Sequence, residues 1–201
     1  MNKTMRMLVF VLLMGLVTSV LLVGVDAWTS PYIEANAQAR LRSAVLNAHG
    51  ISFTTGTINE VFEANIVEEV REDQTFYVNE STGAVAFVFE GSGVWGPIVG
   101  VIAFESDFRT IRYIEILQQE ETPGLGARIV ERAYLDTFNQ VTMRAEAPFL
   151  TISRSADPED PNDLDAITGA TRTSDRFEIM LNAAYARFIE LFDVTFEDEG
   201  V

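Results

Sequence analysis

The stretch Asp165-Ala166-Ile167-Thr168-Gly169-Ala170-Thr171-Arg172-Thr173-Ser174 gathers hydroxyl side chains and one guanidinium around a glycine and an alanine, just before a helical pattern begins. A helix N-terminus carries free N–H groups and a positive dipole end, and together these favour a nearby phosphate. Gly169 and Ala170 let an anion approach the backbone closely. Thr168, Thr171, Thr173 and Ser174 add hydroxyl donors, and Arg172 is the nearby cation in a strongly acidic sequence. The same residue types serve a plainer purpose, since Ser, Thr and Asp are ordinary N-caps. Thr173 or Ser174, placed before Asp175, caps a helix without any ligand. Composition alone leaves both readings open.

Two glycine-rich segments precede this one. The first is Gly91-Ser92-Gly93-Val94-Trp95-Gly96-Pro97-Ile98-Val99-Gly100, and the second is Gln118-Gln119-Glu120-Glu121-Thr122-Pro123-Gly124-Leu125-Gly126-Ala127-Arg128. In this order, ahead of the Thr-rich stretch, they resemble the covalent FMN-binding domain family, over roughly residues 1 to 192. Members of that family include the C subunit of the sodium-translocating NADH:quinone reductase and the G subunit of the Rnf electron-transport complex. The family's flavinylation motif, Asp-x-x-(Ser/Thr)-Gly-Ala-Thr, corresponds here to Asp165, Thr168, Gly169, Ala170 and Thr171. The resemblance implies FMN carried on Thr171 through a phosphoester that a separate, FAD-using flavin transferase makes. It also implies an electron-carrying subunit working with other membrane subunits of a redox-driven ion pump. Thr173 is expected to add to the phosphate site.

Beside that resemblance, each upstream residue keeps two readings. In Thr122-Pro123-Gly124-Leu125-Gly126, Pro123 fixes φ and two glycines can bring backbone N–H groups to a flavin edge, yet Pro-Gly pairs also make plain strand-to-helix turns. The resemblance favours the flavin. Glu121 is a ring or ribityl contact, or a solvated loop carboxylate. Trp95 lines the isoalloxazine, or is an ordinary core or interface aromatic. Arg128 contacts phosphate or sits on the surface, and the surface is the expectation.

Other chemistries are poorly provided for. The chain has no Cys, so it offers no disulfide, thiolate zinc site, Cys nucleophile or Cys-ligated cluster. His49 is the single histidine and stands at a predicted helix end, where a surface role is expected. Gly-rich loops of the P-loop or dinucleotide type are missing from the sequence, so electrons are expected from a partner rather than from NADH bound here. A formal charge of −16 repels phosphate backbones, which makes nucleic acid a poor partner.

The elements that must position these residues read as an α+β domain with a mainly antiparallel sheet, behind one transmembrane helix. Hydrophobic residues make up 48% of the chain, enough for a real core in about one domain. Ala84 to Glu90, Val94 to Phe104 and Thr110 to Gln118 are rich in Val, Ile and Phe and predict neighbouring strands. Glu34 to Ala48 predicts a helix that Gly50 ends, and Ala127 to Phe138 predicts a second, with Ile129, Ala133 and Phe138 inward. Ser174 to Asp193 predicts a third, with Phe177, Leu181, Ala184, Phe188 and Leu191 forming its core stripe. Ser155 to Asp165, with Pro158 and Pro161, reads as an exposed loop.

Met7 to Val25 is uncharged and close to the ~20 residues that span hydrocarbon. Lys3 and Arg6 precede the run and Asp26 follows it, so the positive-inside rule puts residues 1–6 in the cytoplasm of a bacterial cell. Residues 7–28 then form the transmembrane helix, with Trp28 and Tyr32 suited to the outer interface, and 29–195 the FMN-binding domain on the extracytoplasmic side of the inner membrane. Residues 196–201 form an acidic tail. A cleaved signal peptide competes with the anchor, since Val25-Asp26-Ala27 is a tolerable cleavage site. Two function classes compete with the electron carrier: a flavin-free extracytoplasmic interaction or sensing domain of the same fold, and a standalone flavin reductase.

Overall fold

The computed structural model describes residues 2–194, so the tail read at 196–201 lies outside the described residues. The chain divides into two compact units, Met1–Arg40 and Leu41–Val201. The first unit lies on α1 (Lys3–Ala48), which contains an 18-residue window of mean hydropathy 2.8 and is long and apolar enough to cross a membrane. That window is fully exposed, so no protein core claims its apolar side chains. The helix predicted from Glu34 is the continuation of this same element. Pro31 sits inside it, and Gly50, with φ of +68°, follows its end as expected.

The second unit is built on a five-stranded antiparallel sheet: β1 (Val67–Arg71), β2 (Gln74–Asn79), β3 (Ala84–Ser92), β4 (Pro97–Phe104) and β5 (Ile111–Gln118), in that spatial order. Because successive side chains alternate across a strand, the sheet feeds two cores. Phe87, Phe89, Ile98, Ile102, Phe104 and Ile114 point to one, which α4 (Thr171–Leu191) covers through Phe177, Leu181 and Phe188. Ala86, Val101 and Ala103 point to the other, closed by Ala44, Val45, Leu46 and Ala48 of α1 and by α2 (Ile58–Asn65). A sheet buried on both faces explains why β3 and β4 read as almost continuous apolar runs. The α+β class with a mainly antiparallel sheet is therefore the observed one.

Several expectations change in detail. The strand expected from Val94 begins at Pro97, because Gly93 N–H donates to Gly96 C=O at 2.9 Å and closes a turn over 93–96. The helix expected over Ala127–Phe138 is three short pieces. A 3₁₀ turn (Gly126–Val130), α3 (Arg132–Leu135) and a second 3₁₀ turn (Asp136–Phe138) follow one another, and Glu131 breaks the first from the second with an extended ψ of 125°. Ile129 and Phe138 are buried as expected, whereas Ala133 faces solvent. The end of the loop expected over Ser155–Asp165 is ordered: β7 (Asp163–Asp165) pairs in parallel with β6 (Thr151–Ser153).

His49 overturns the surface expectation, being only 4% exposed. One ring nitrogen, Nε2, lies 3.1 Å from the Tyr77 carbonyl, and Nδ1 is buried without a partner. Burial therefore holds the imidazole below its ordinary value of 6.5; the Tyr77 carbonyl opposes this, the Arg112 guanidinium adds to it and Glu105 weakly opposes it. Arg112 reaches this corner from an irregularity in the β4–β5 register and donates to Ala48 C=O at 2.9 Å, His49 C=O at 3.3 Å and the Glu105 carboxylate. The folded state thus binds this proton less readily than the unfolded chain. Stability falls as pH drops through 6.5 toward the lower folded value, and the effect is absent above 6.5. Thermal unfolding of the full chain at about pH 7.5 and about pH 5.5 checks this, with a smaller loss expected for His49→Gln.

Candidate functional site

The last helix starts earlier than its capping pattern suggests. Thr171 is its first residue and Ala170 stands at the cap position, with no side-chain capping hydrogen bond. Thr173 and Ser174, the expected caps, lie inside the first turn and are buried at 4% and 1% exposure. The Ser174 hydroxyl accepts from Ile167 N–H at 3.0 Å and donates to Ala170 C=O at 3.3 Å. The Thr173 hydroxyl donates to Glu121 Oε2 at 2.7 Å. Thr171 is half-buried, Thr168 and Arg172 are exposed, and among the described residues none of these three side chains makes a hydrogen bond or ion pair. The first-turn N–H groups therefore open toward unoccupied hydroxyls, the arrangement that suits a phosphate.

The backbone leading into this terminus is fixed from several sides. Ala166 N–H donates to Ser153 C=O at 2.7 Å, which extends the β6–β7 pairing into the motif. Asp165 is a brace, its Oδ1 accepting from Ala156 N–H at 3.1 Å and tying the acidic loop to β7. Gly169, at φ of +82°, makes the left-handed turn before the helix, a conformation that side chains rarely adopt. Further along α4, Asn182 Oδ1 accepts from Phe149 N–H at 2.7 Å and Glu178 Oε2 accepts from Ile152 N–H at 2.7 Å. These two side chains stand in for a neighbouring strand beside β6, so the helix positions the chain that enters its own N-terminus. Nothing in their local sequence signals that role, because their partners lie 33 and 26 residues away.

Glu121 joins the three glycine- and threonine-rich segments. It is 4% exposed, so the solvated-loop reading does not hold. Its Oε1 accepts from Val94 N–H at 2.7 Å and Trp95 N–H at 3.2 Å, while Oε2 accepts from Thr173 Oγ1. A Cβ on Gly93 would come 2.5 Å from Oε1, and one on Gly126 would come 2.5 Å from Thr173 Oγ1 and 2.7 Å from Oε2. Glycine at 93 and 126 is therefore required by the close approach around this carboxylate. Between them the Thr122–Leu125 tip is exposed, with Thr122 C=O accepting from Leu125 and Ala127 N–H and Gly124 at φ of +75°. Leu125 Cδ2 lies 3.3 Å from where a Cβ of Gly169 would stand, so the tip meets the motif directly.

Two clefts flank the terminus. One, of about 330 Å³, runs between Gly93 and Val94 on one side and Arg172, Asp175, Arg176 and Ile179 on the other. The second, of about 320 Å³, is lined by Arg128, Tyr134, Thr137, Asp165, Ile167 and Thr168, among others. Arg128 is exposed and paired with Glu131, in keeping with its expected surface position. The Tyr134 Oη at the second cleft is buried and lacks a hydrogen bond of good geometry; the Ser174 hydroxyl beside it is committed to Ile167 and Ala170. Trp95 is 71% exposed, which excludes the core reading and leaves its ring free at the 93–96 turn. An uncapped terminus, a close-approach glycine, an orphaned phenol and clefts on both sides fit a phosphate-bearing planar cofactor.

In this α+β domain three glycine- and threonine-rich segments meet around an open helix terminus. Residues 93–186, just under half of the chain, match the FMN-binding domain family. It is similar to the C subunit of the Na(+)-translocating NADH-quinone reductase of Haemophilus ducreyi, 27% identical over 117 residues that cover 56% of this chain and 46% of that one. The corresponding C subunit of Chlamydia trachomatis is 30% identical over 108 residues, covering 45% and 34%. The chain thus spans less than half the length of these curated relatives. Two crystal structures share the fold. The Parabacteroides distasonis C subunit superposes with a TM-score of 0.66 at 18% identity, covering 82% of this chain and 97% of that one. Shewanella oneidensis NqrC gives 0.67 at 17% identity, covering 80% and 100%.

Proposed function

We propose that this chain is a membrane-anchored electron-transfer subunit of an ion-translocating NADH:quinone-reductase-type complex, carrying FMN as a phosphoester on Thr171. The observation that supports this reading most strongly is the fate of the hydroxyls around the helix start. Thr173 and Ser174 are consumed by the protein, while Thr171 holds a free hydroxyl at the first position of an uncapped helix. Attachment there has a balanced chemistry. Thr171 Oγ1 attacks the riboflavin-side phosphorus of FAD in a flavin transferase, the bridging P–O bond breaks, AMP leaves, and the hydroxyl proton passes to the transferase or solvent.

Once attached, FMN supplies reversible one- and two-electron chemistry through its ring. The chain's own residues do the holding. First-turn N–H groups, Arg172 and Thr168 would hold the phosphate, and the Thr122–Gly126 tip and Trp95 would bound the ring. A single apolar helix supports anchoring, and Lys3 and Arg6 before it with Asp26 after it support an extracytoplasmic domain on a bacterial inner membrane. The relatives' names support the NADH-quinone reductase setting over the Rnf-type one, and partner membrane subunits with it.

The test is co-expression of the full chain with a flavin transferase, followed by denaturing electrophoresis and mass spectrometry of the peptide containing Thr171. Fluorescence that survives denaturation, with FMN mass on Thr171, is the expected result. A colourless chain under these conditions would instead favour a flavin-free interaction domain, and acceptor turnover by the purified chain alone would favour a reductase.

A further inference from the structure

We propose that Glu121 is a positioning residue for modification of Thr171: its carboxylate clamps the first turn of α4 to the 93–96 turn and thereby presents the Thr171 hydroxyl outward. This rests on the assignment of Thr171 as the attachment point.

The geometry carries the inference in three steps. First, α4 begins without a side-chain cap, so its first turn depends on other contacts to stay formed. The Glu121–Thr173 bond at 2.7 Å and the two Ser174 bonds supply them. Second, helix geometry converts an inward Thr173 into an outward Thr171. Residues two apart are turned by roughly 200° about the axis, so fixing the buried Thr173 on the core side directs position 171 away from it. Third, Glu121 has the other side of its carboxylate on Val94 and Trp95 N–H, which makes the clamp bridge two chain segments rather than merely finish one helix. With three protein donors already on its two oxygens, Glu121 acts in this role through the backbone and Thr173.

Glutamine is the informative replacement. An amide oxygen can accept from Val94 and Trp95 while its NH₂ donates to Thr173 Oγ1, so Glu121→Gln keeps the bridge and loses only the charge. Alanine removes the bridge and leaves buried donors without partners. Thr173→Val keeps the shape and breaks the α4 half of the clamp.

The experiment uses the full chain in detergent, with and without co-expressed flavin transferase. Modified fraction is read by intact mass on the folded, monomeric peak. Phe62→Leu, a change in the core on the face of the sheet opposite α4, serves as a control whose thermal midpoint falls without breaking the clamp. The expected pattern is a modified fraction lowered at least about tenfold in Glu121→Ala and Thr173→Val, within about twofold of wild type in Glu121→Gln, and unchanged in Phe62→Leu. In the unmodified chain, hydrogen exchange over residues 92–98 and the start of α4 should quicken in Glu121→Ala and stay slow in Glu121→Gln. Full modification of Glu121→Ala, or an equal loss in Phe62→Leu, overturns the positioning role. A loss in Glu121→Gln as deep as in Glu121→Ala overturns the geometric explanation. Should wild type itself take no flavin, the Thr171 assignment fails, and the exchange measurements alone still decide whether the clamp exists.

Discussion

Full-length chain carrying Thr171→Val is expected to leave co-expression with a flavin transferase without any covalent flavin, while unfolding at nearly the wild-type temperature. The two halves of that result have separate causes. Valine matches threonine in shape and removes only the nucleophilic oxygen, so no phosphoester can form at that position. The Thr171 hydroxyl makes no hydrogen bond among the described residues and the site is half-buried, so the substitution strands no buried partner. Changes of this kind usually stay within about 0.5 kcal/mol. Thr171→Ser restores an oxygen and should restore modification. Thr168→Val is expected to lower the modified fraction without abolishing it, because Thr168 is exposed three residues before Thr171 and lines the neighbouring cleft. Flavin retained at full level in Thr171→Val would move the attachment point to another hydroxyl, and peptide mass spectrometry would locate it.

The parts of the molecule visible in the sequence are those whose cause is local. The β3, β4 and β5 runs follow from their richness in Val, Ile and Phe, and the α4 stripe of Phe177, Leu181 and Phe188 from a spacing of three and four. The Thr171 region is legible because the types of its residues carry the chemistry. The missing elements have physical reasons. β1 is an edge strand whose Glu68, Glu69 and 70%-exposed Val70 give no inward–outward alternation. β6 and β7 are three residues each and owe their pairing to a parallel return and to side chains of α4. The charge on Glu121 suggests a solvent-facing or ligand-facing group, and its actual partners lie 27, 26 and 52 residues away. The burial of His49 is hidden for the same reason, since the Tyr77 carbonyl that meets its ring is 28 residues distant.

Phe188→Ala is expected to produce the largest loss of stability and, in contrast to Glu121→Ala, no loss of flavin per folded molecule. The Phe188 ring is 1% exposed and packs against six other rings. It stacks on Phe104 at 5.2 Å and on Phe87 at 5.2 Å, and meets Phe76, Phe108, Tyr185 and Phe192 at other angles. Truncation to alanine removes apolar burial and opens a cavity that neighbouring rings, themselves held by β2, β3, β4 and α4, can only partly close. Such changes cost about 3–5 kcal/mol, a large share of the ~5–15 kcal/mol that holds a domain together. The thermal midpoint should fall by about 10 °C or more. Phe188→Leu keeps most of the volume and should fall much less. The flavin site is separated from this cluster along the helix, since the seventeen residues from Thr171 to Phe188 span roughly 25 Å at 1.5 Å per residue. Well below its lowered midpoint, Phe188→Ala therefore keeps the Glu121–Thr173 clamp and should be modified to the wild-type extent. If its modified fraction instead falls in step with its midpoint, the site depends on global stability rather than on the local clamp, and the separation between the two ends of α4 is wrong.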